Sequence, residues 1–340
     1  MIGLITKENI LRKQFINYFT NKEWSGSMEK KRVIIDTDPG HDDTLAIMLA
    51  LANEELDIKG ITTVAGNTDI EHNTKNAVRV LEYFGRNIKV YKGAGKPLFN
   101  PFIGATDVHG ETGLDGTSLP DAIRKEEEIP AVEFMEQTLK QEKITIIAIG
   151  PLTNVATLLL TAPELKSQIE EICIMGGAAL GGNVTSAAEF NIWQDPEAAH
   201  IVFSAGVPLT MCGLDVTHRS GLTEKELEEI KSIGGKVGTL AGEIIDFYGK
   251  SAEHNDNGTM SFVIHDAVAV AKMLRPELFT IKPYHVDIDL DGVYTRGCTV
   301  TDMIEVTGKE KNVQVVLDVK RDKFARFLIE SYKKLETMCK

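Results

Sequence analysis

Four aspartates fall within eight residues near the start of the chain, in the segment 36–43, which reads DTDPGHDD. This much negative charge in one turn is unfavourable unless a cation or bound protons offset the repulsion. Carboxylate oxygens are the ligands that hard divalent cations prefer, so the segment predicts a metal site. An apolar run, 33–35, precedes the acids, and helix-forming residues, 44–52, follow them. The acids are therefore expected where a strand ends and a helix begins, the edge at which open α/β sheets bind ligands.

Two other kinds of site also use clustered aspartates. An EF-hand loop needs a glutamate at its twelfth position, and counting from Asp36 that position is Ile47, so this alternative fails. A Mg²⁺-dependent phosphohydrolase would use Asp36 and Asp38 as an Asp-x-Asp pair, with one of them as nucleophile. It would not require the second pair, Asp42 and Asp43. A single acid at a helix start could merely offset the helix dipole, but four acids exceed that need.

A second group of polar residues follows a later apolar run. It comprises Met175, two glycines at 176–177, Asn183, Glu189 and Asn191. The glycines permit the chain to leave a strand sharply. The amide and carboxylate side chains could each make directional hydrogen bonds to a polyhydroxylated ligand. The same residue types are also common in ordinary turns, so this group alone predicts a ligand site only weakly.

A third candidate is the pair His265 and Asp266, which lies between the apolar runs 262–264 and 267–270. The aspartate could bind a metal ion, and the histidine could donate a proton near neutral pH. The alternative is structural, with the aspartate capping a helix and the histidine packed in the interior. Weaker signals lie at other predicted strand ends and in a long Gly- and Pro-rich loop, at 64–67, 150–154, 109–110 and 112–116.

Strand-like and helix-like segments alternate from residue 32 to about 212. This alternation predicts an α/β fold with an open, mostly parallel, doubly wound (Rossmann-like) sheet and helices on both faces. The predicted strands are 32–36, 57–64, 88–91, 143–149, 171–175 and 207–212, and the predicted helices are 43–53, 70–85, 131–141, 152–161 and 195–204. The rest is predicted to contain a mainly helical segment, 222–276, a small antiparallel meander from runs at 284–290, 298–305 and 312–318, and a final helix over 320–337.

The chain is predicted to be one elaborated domain over residues 29–340, because it contains no internal repeat or linker. Hydrophobic content of 43% and charged content of 26% are ordinary for a globular protein. Residues 1–28 differ from the rest, since they mix apolar and basic side chains. This segment is expected to be a frayed N-terminal extension, with a small amphipathic helix around 10–19 as the alternative.

Charge and cysteine content restrict the partners and the compartment. The formal net charge of −13 argues against nucleic acid as a partner, because binding to phosphates needs a basic surface. No segment is long and apolar enough to span a bilayer, so no membrane partner is expected. The four cysteines form no CxxC pair or zinc-type spacing, which suits the reducing cytoplasm.

Taken together, these motifs resemble those of the inosine–uridine-preferring nucleoside hydrolases. The resemblance runs from about Arg32 to the final helix, and its most specific motif is the acidic segment 36–43. Met175 with its two glycines, the segment 189–199 and the pair 265–266 support it in the same order. The resemblance implies hydrolysis of the N-glycosidic bond of ribonucleosides in nucleoside salvage, through an oxocarbenium-like transition state.

The resemblance also implies roles for individual residues. One Ca²⁺ ion per subunit would be held by the carboxylates of Asp38, Asp43 and Asp266 and by the backbone carbonyl of Thr153. Asp42 would be the general base, and His265 would protonate the departing base. The ribose would be bound by Asn67, Asn183, Glu189 and Asn191, with Met175 packed beside the sugar and His109 at the border of the pocket.

Three questions stay open at this point. Either Tyr248 or His254, both before the His-Asp pair, could assist the leaving group. The preferred base could be that of inosine, uridine, cytidine or adenosine. The partner is expected to be a small-molecule ribonucleoside, and the assembly a homodimer or a homotetramer. A non-catalytic ribose-binding protein is the remaining alternative, although Asp42 and His265 go beyond what binding needs.

Overall fold

The computed structural model describes residues 30–249 and 262–339. The whole predicted N-terminal extension, residues 1–28, and His254 lie outside these ranges. The strands are β1 (Lys31–Thr37), β2 (Leu56–Thr63), β3 (Val90–Lys92), β4 (Ile144–Ala148), β5 (Ile169–Met175), β6 (Leu209–Cys212), β7 (Phe279–Tyr284), β8 (Val286–Ile288), β9 (Thr299–Thr301) and β10 (Val313–Val319).

The helices alternate with the strands through the first two thirds of the chain and then become more frequent. They are α1 (His41–Ala52), α2 (Ile70–Tyr83), α3 (Thr106–His109), α4 (Ala131–Leu139), α5 (Thr153–Thr161), α6 (Phe190–Gln194), α7 (Pro196–Phe203), α8 (Leu214–Thr217), α9 (Glu224–Lys231), α10 (Gly235–Tyr248), α11 (His265–Leu274) and α12 (Arg321–Met338). None of the helices in the described ranges combines the length and the apolar composition needed to cross a membrane.

The central sheet has the strand order β3-β2-β1-β4-β5-β6-β10-β7. All neighbouring pairs from β3 to β10 are parallel, and the edge strand β7 is antiparallel to β10. The chain winds outward from β1 to β3 in one direction and from β4 to β6 in the other. The strand order therefore reverses between β1 and β4, and such a switch point leaves a crevice at the carboxyl ends of the two strands.

Apolar side chains of the central strands are buried on both faces of the sheet. Along β1, Val33 and Ile35 join one hydrophobic cluster, whereas Ile34 joins the other. This alternation follows from the two-residue period of a strand, and two-sided burial is typical of parallel sheets. Helix α1 is buried along its whole length, which fits the uninterrupted apolar run over residues 45–52 that follows its polar first turn.

The fold class predicted from the sequence is confirmed. The six predicted strands and five predicted helices between residues 32 and 212 are present, with ends shifted by at most two residues. The predicted meander is present only in part, as the two-stranded sheet β8–β9. Its third run instead forms β10 in the central sheet, where Val315 and Val316 are fully buried, and β7 was not predicted. Sequence periodicity does not reveal which sheet a strand joins, because pairing depends on distant segments.

Candidate active site

The acidic segment occupies the crevice between β1 and β4, where the turn 38–40 joins β1 to α1. The carboxylate of Asp43 is held there by four donors. Its Oδ1 accepts from Thr37 Oγ1 at 2.5 Å and from the backbone N–H of Asp38 at 3.3 Å. Its Oδ2 accepts from Asn67 Nδ2 at 2.8 Å and from the backbone N–H of Gly40 at 3.0 Å. Asp43 therefore has a fixed orientation within the turn.

Asp38 is buried and has one oxygen without a partner. Its Oδ2 accepts from the backbone N–H of Asn67 at 2.7 Å, whereas Oδ1 has no hydrogen-bond partner among the described residues. Two glycines make room for this carboxylate, since a Cβ atom would lie 2.0 Å from Oδ2 at Gly66 and 2.4 Å from Oδ1 at Gly150. A buried carboxylate oxygen without a donor is costly, and a cation would satisfy it.

Three carboxylates meet beside Asp38. Asp42, Asp43 and Asp266 each offer an oxygen atom, and these atoms lie within 4.8 Å of one another. All three residues are buried, and Asp266 reaches the group from the first turn of α11. Clustered buried oxygen ligands are the donor set that a hard divalent cation requires, so the site fits such an ion. The group brings Asp42, predicted to be the base, together with two of the predicted ligands.

Burial has a large effect on the protonation of these acids. Burial, reinforced by the charge of Asp43, raises the pKa of Asp42 to about 8. Burial also raises the pKa of Asp43, and burial together with neighbouring carboxylates raises the pKa of Asp38 and of Asp266. Without a cation, the cluster therefore holds protons near neutral pH, and a divalent ion would favour its ionised form.

Thr153, the predicted backbone ligand, is the first residue of α5. Its hydroxyl donates to Asp195 Oδ2 at 2.7 Å, and its carbonyl accepts from Thr157 Oγ1 at 2.7 Å. As the first residue of the helix, Thr153 also has its carbonyl within the helical hydrogen-bond ladder, so its role as a cation ligand stays a prediction.

A pocket of about 350 Å³ opens above the acids. This volume lies within the range of small-molecule sites. The predicted residues that line it are Asp42, Asn67, His109, Met175, Asn183, Glu189, Asn191, Tyr248, His265 and Asp266. Asp38, Asp43 and Thr153 are not among its lining residues and are buried. None of the described lining residues is a lysine or an arginine.

The residues predicted to bind ribose are each fixed by a bond within the protein. Glu189 caps α6 with one oxygen, Oε2, which accepts backbone N–H groups of Gly177 at 2.8 Å and of Asn191 at 3.0 Å. Burial raises the pKa of Glu189 to about 7. Asn191 donates from Nδ2 to the Met175 carbonyl at 3.1 Å, and Asn183 Oδ1 accepts from the backbone N–H of residue 190 at 3.0 Å. The same side chains thus both make hydrogen bonds that stabilise the local backbone and line the pocket.

His265 starts α11 and lines the pocket beside Asp266. Its Nδ1 lies 2.8 Å from the hydroxyl oxygen of Thr217. This contact fixes the orientation of the imidazole ring. Thr217 had no sequence signal, because it lies 48 residues away along the chain in α8.

His41 is a buried residue of the acidic segment to which the sequence assigned no role. Its Nδ1 lies 3.2 Å from Nδ1 of His109, and its ring stacks on Phe247 and Tyr248, with centroid distances of 4.9 and 5.8 Å. Burial lowers the pKa of His109 to about 3, so this residue is neutral. His109 Nε2 lies 4.0 Å from Asp42 Oδ1. The only sequence signal for this group of stacked rings was the presence of a histidine between Gly40 and Asp42.

The raised pKa values predict how the metal-free protein responds to pH. Folding raises the pKa of Asp36 to about 7 and that of Asp42 to about 8, compared with about 3.9 in an unfolded chain. Between these values the folded state binds more protons, so its stability falls as pH rises. Adding a divalent cation to chelated protein should raise its thermal unfolding midpoint. We expect this rise to be larger at about pH 8 than at about pH 5, as measured by scanning fluorimetry.

The Asp42→Asn variant serves as the control for this effect. It lacks one of the titrating carboxylates, so the pH dependence of its midpoint without metal should be shallower than that of the parent. A cation-induced gain that is constant or shrinks as pH rises would contradict the assignment of the cluster as a cation site.

The fold and the site together define a class of protein, a doubly wound α/β domain with a pocket for a small ligand above clustered carboxylates. The chain belongs to the inosine-uridine preferring nucleoside hydrolase family, whose model matches residues 33–326. It is a ribonucleoside hydrolase, an enzyme that hydrolyses ribonucleosides.

Individual relatives agree with this assignment. The chain is 45% identical over 304 residues to the pyrimidine-specific ribonucleoside hydrolase RihA of Escherichia coli O7:K1, covering 88% of this chain and 98% of the relative. The purine-preferring ribonucleoside hydrolase from Gardnerella vaginalis has a similar structure, with a TM-score of 0.84, 35% identity and coverage of 91% and 99%. A plant nucleoside hydrolase matches with a TM-score of 0.83, 33% identity and coverage of 89% and 99%.

Proposed function

We propose that the enzyme cleaves the N-glycosidic bond of pyrimidine ribonucleosides, releasing the free base and ribose for nucleoside salvage. The observation that carries this proposal is the pocket in which Asp42, Asp266 and His265 face one space above the buried carboxylates. The preference for pyrimidines is supported by the 45% identity to a pyrimidine-specific relative.

We propose Ca²⁺ as the resident ion, held by Asp38, Asp43, Asp266 and the carbonyl of Thr153. Two observations support this oxygen-only ligand set: the Oδ1 of Asp38 has no hydrogen-bond partner in the described part of the chain, and the carboxylates are clustered and buried. When bound, the ion would supply positive charge that orients ribose hydroxyls and acidifies a water molecule.

Asp42 is proposed as the general base that takes a proton from the attacking water. It lines the pocket and belongs to the carboxylate group, so it can face both the water and the ribose. Its orientation relative to the other acids is set by its position in the first turn of α1. A proton-accepting carboxylate next to the anomeric carbon is what glycoside hydrolysis requires.

His265 is proposed as the acid that protonates the departing base. The Thr217 hydroxyl lies 2.8 Å from its Nδ1 and orients the imidazole, and the residue lines the pocket beside Asp266. Asn67, Asn183, Glu189 and Asn191 are proposed to bind the ribose hydroxyls, with Met175 beside the sugar. His109 and Tyr248, whose ring centroids lie 5.4 Å apart, are proposed to border the base, with Tyr248 as the assisting residue.

Replacing His265 with alanine tests the acid role. We expect kcat on uridine to fall by about 10²-fold, because an unprotonated pyrimidine is a poor leaving group. Activity on 4-nitrophenyl riboside should change only severalfold, since nitrophenolate leaves without a proton. His218→Ala is a matched control, because His218 lies beside His265 but does not line the pocket. Equal losses on the two substrates would remove His265 from this role.

The structure also bears on the alternative of a phosphohydrolase. Asp36, a candidate nucleophile in that alternative, is fully buried, and its Oδ1 accepts from Thr62 Oγ1 at 2.6 Å and from Asn154 Nδ2 at 2.8 Å. It is not among the residues that line the pocket. The described lining offers no lysine or arginine for a phosphate. These observations favour hydrolysis of a neutral nucleoside.

A substrate panel tests the proposed function. Release of reducing sugar is measured with uridine, cytidine, inosine and adenosine, and release of phosphate is measured with uridine monophosphate. We expect kcat/KM on uridine and cytidine to exceed that on the two purines by at least about tenfold. Purine preference would overturn the proposed specificity. Phosphate release without base release, or tight binding without cleavage, would overturn the proposed chemistry.

We also propose a cytoplasmic enzyme that assembles as a homodimer or a homotetramer from a domain spanning residues 29–340. Cys173 and Cys212 are unpaired and buried, which suits a reducing compartment. Val293, Tyr294 and Ile304 are largely exposed apolar side chains, and they are the candidates for a contact between subunits. Light scattering of the purified protein measures the assembly, and a monomer at micromolar concentration would refute it.

A further inference from the structure

Asp195 is a buried carboxylate that joins three separate segments near the site. It lies between α6 and α7 and has no exposed surface. Its Oδ1 accepts from the backbone N–H of Ala198 at 3.1 Å and so caps α7. Its Oδ2 accepts from the Thr153 hydroxyl at 2.7 Å and from the backbone N–H of Leu98 at 2.9 Å. The capping bond alone would explain an aspartate here, but not the two bonds of Oδ2.

The bond to Leu98 reaches the loop that forms one side of the pocket. Residues 103–105 of this loop line the pocket. The neighbouring side chain Gln194 donates from Nε2 to the Ile103 carbonyl at 3.0 Å, so residues 194 and 195 hold the loop at two points. The loop is also tied to the acidic site, because the backbone N–H of Ala105 donates to the Asn67 carbonyl at 2.8 Å.

The bond to Thr153 reaches the residue whose carbonyl is proposed to bind the cation. Thr153 begins α5, so its own N–H is one of those without a partner inside the helix, whereas its carbonyl accepts from Thr157 Oγ1. A hydroxyl held by a buried carboxylate restricts rotation of this first turn, and hence the direction of the carbonyl. Partners of this kind orient metal ligands without touching the metal, and their removal commonly weakens metal binding by 10–100-fold.

We propose that Asp195 is a positioning residue that links the pocket loop to the cation-binding turn and thereby supports the affinity for the cation. This inference rests on the proposed function, because it requires Thr153 to be a ligand. Asp195 acts through the Thr153 hydroxyl on one side and through the Leu98 amide on the other. Loss of the carboxylate therefore loosens both the ligand and the pocket wall.

Calorimetric titration of chelated protein with CaCl₂ tests the first link. We expect Asp195→Ala to raise the dissociation constant for Ca²⁺ by at least about tenfold. Thr153→Val removes only the hydroxyl and leaves the helix cap intact, so it remains informative if Asp195→Ala folds poorly. It should raise the constant severalfold, and the double variant should be no weaker than Asp195→Ala alone, because the two changes break the same bond.

Glu197→Gln is the matched control. Glu197 lies in the same helix as the cap and pairs with Arg296 and Asn100, but it does not contact Thr153. The affinity of the Glu197→Gln variant for Ca²⁺ should stay within about twofold of that of the parent protein. Hydrogen exchange of the peptide that contains Leu98 gives the second readout, and Asp195→Ala should accelerate it while Thr153→Val should not.

The outcomes separate this inference from the proposed cation site. If Asp266→Asn abolishes Ca²⁺ binding but Asp195→Ala and Thr153→Val bind it like the parent, the positioning role is wrong and the site stands. If Asp195→Ala lowers only the thermal midpoint, Asp195 is merely structural and the inference is also overturned. If Asp266→Asn leaves Ca²⁺ binding unchanged, the proposed site itself fails, and the inference fails with it.

Discussion

Replacing Asp42 with asparagine is expected to lower kcat on uridine by about 10³-fold, because the amide cannot accept a proton from the attacking water. The shape of the side chain is preserved, so KM should change little. Affinity for Ca²⁺ should also stay within a few fold of the parent if the ion is held by Asp38, Asp43, Asp266 and Thr153. Steady-state assays and calorimetry on the same preparation measure the two quantities.

Asp107→Asn provides the matched control for this prediction. Asp107 also lines the pocket but is exposed and lies outside the carboxylate group, so the same chemical change should alter kcat by less than about threefold. The competing outcome is that Asp42 itself binds the ion, because one of its oxygen atoms lies within 4.8 Å of oxygen atoms of Asp43 and Asp266, two proposed ligands. If Asp42→Asn loses Ca²⁺ binding together with turnover, Asp42 is a ligand and the base must be sought elsewhere.

Removing the cation is expected to have an effect of similar size. Exhaustive chelation followed by removal of the chelator should lower kcat/KM on uridine by about 10³-fold, which corresponds to about 4 kcal/mol of lost transition-state stabilisation. Adding CaCl₂ should restore the activity, while the protein stays folded at neutral pH as judged by circular dichroism. Metal content per chain, measured by elemental analysis, should follow the activity.

Two results would speak against this expectation. Full activity in protein that contains less than about a tenth of an equivalent of metal would exclude the ion from the reaction. Restoration by Zn²⁺ but not by Ca²⁺ would exclude the proposed ion, because an all-oxygen site does not match the preference of zinc for nitrogen and sulfur ligands.

The strands and helices up to residue 212 were predictable because apolar periodicity and helix-forming runs are local properties. The position of the acids at a strand end was also predictable from a local property, because Pro39 and Gly40 end the strand within the acidic segment 36–43. The meeting of Asp266 with Asp42 and Asp43 was not predictable from periodicity. More than 200 residues separate them, and the resemblance to a family supplied the link.

Other features became visible only in three dimensions. Asp36 belongs to the same motif as Asp38, yet its Oδ1 is held by Thr62 and Asn154, and neither aspartate lines the pocket. Two residues apart in one strand, they would point to the same face of the sheet. Because β1 ends at Thr37, Asp38 instead lies in the turn, and its carboxylate takes a different environment from that of Asp36. In the sequence, Asp195 looks like an ordinary helix cap. Its additional role is not visible there, because its second oxygen meets partners from distant segments.

None of the described residues that line the pocket is a lysine or an arginine, and this affects which substrates the pocket can accept. A phosphorylated substrate would bring negative charge into a pocket lined by several acids, with no cationic side chain of that lining to receive it. Like charges brought together in a poorly solvated space repel strongly. We therefore expect nucleoside monophosphates to be poorer substrates than nucleosides, so that dephosphorylation of a nucleotide would precede its cleavage by this enzyme.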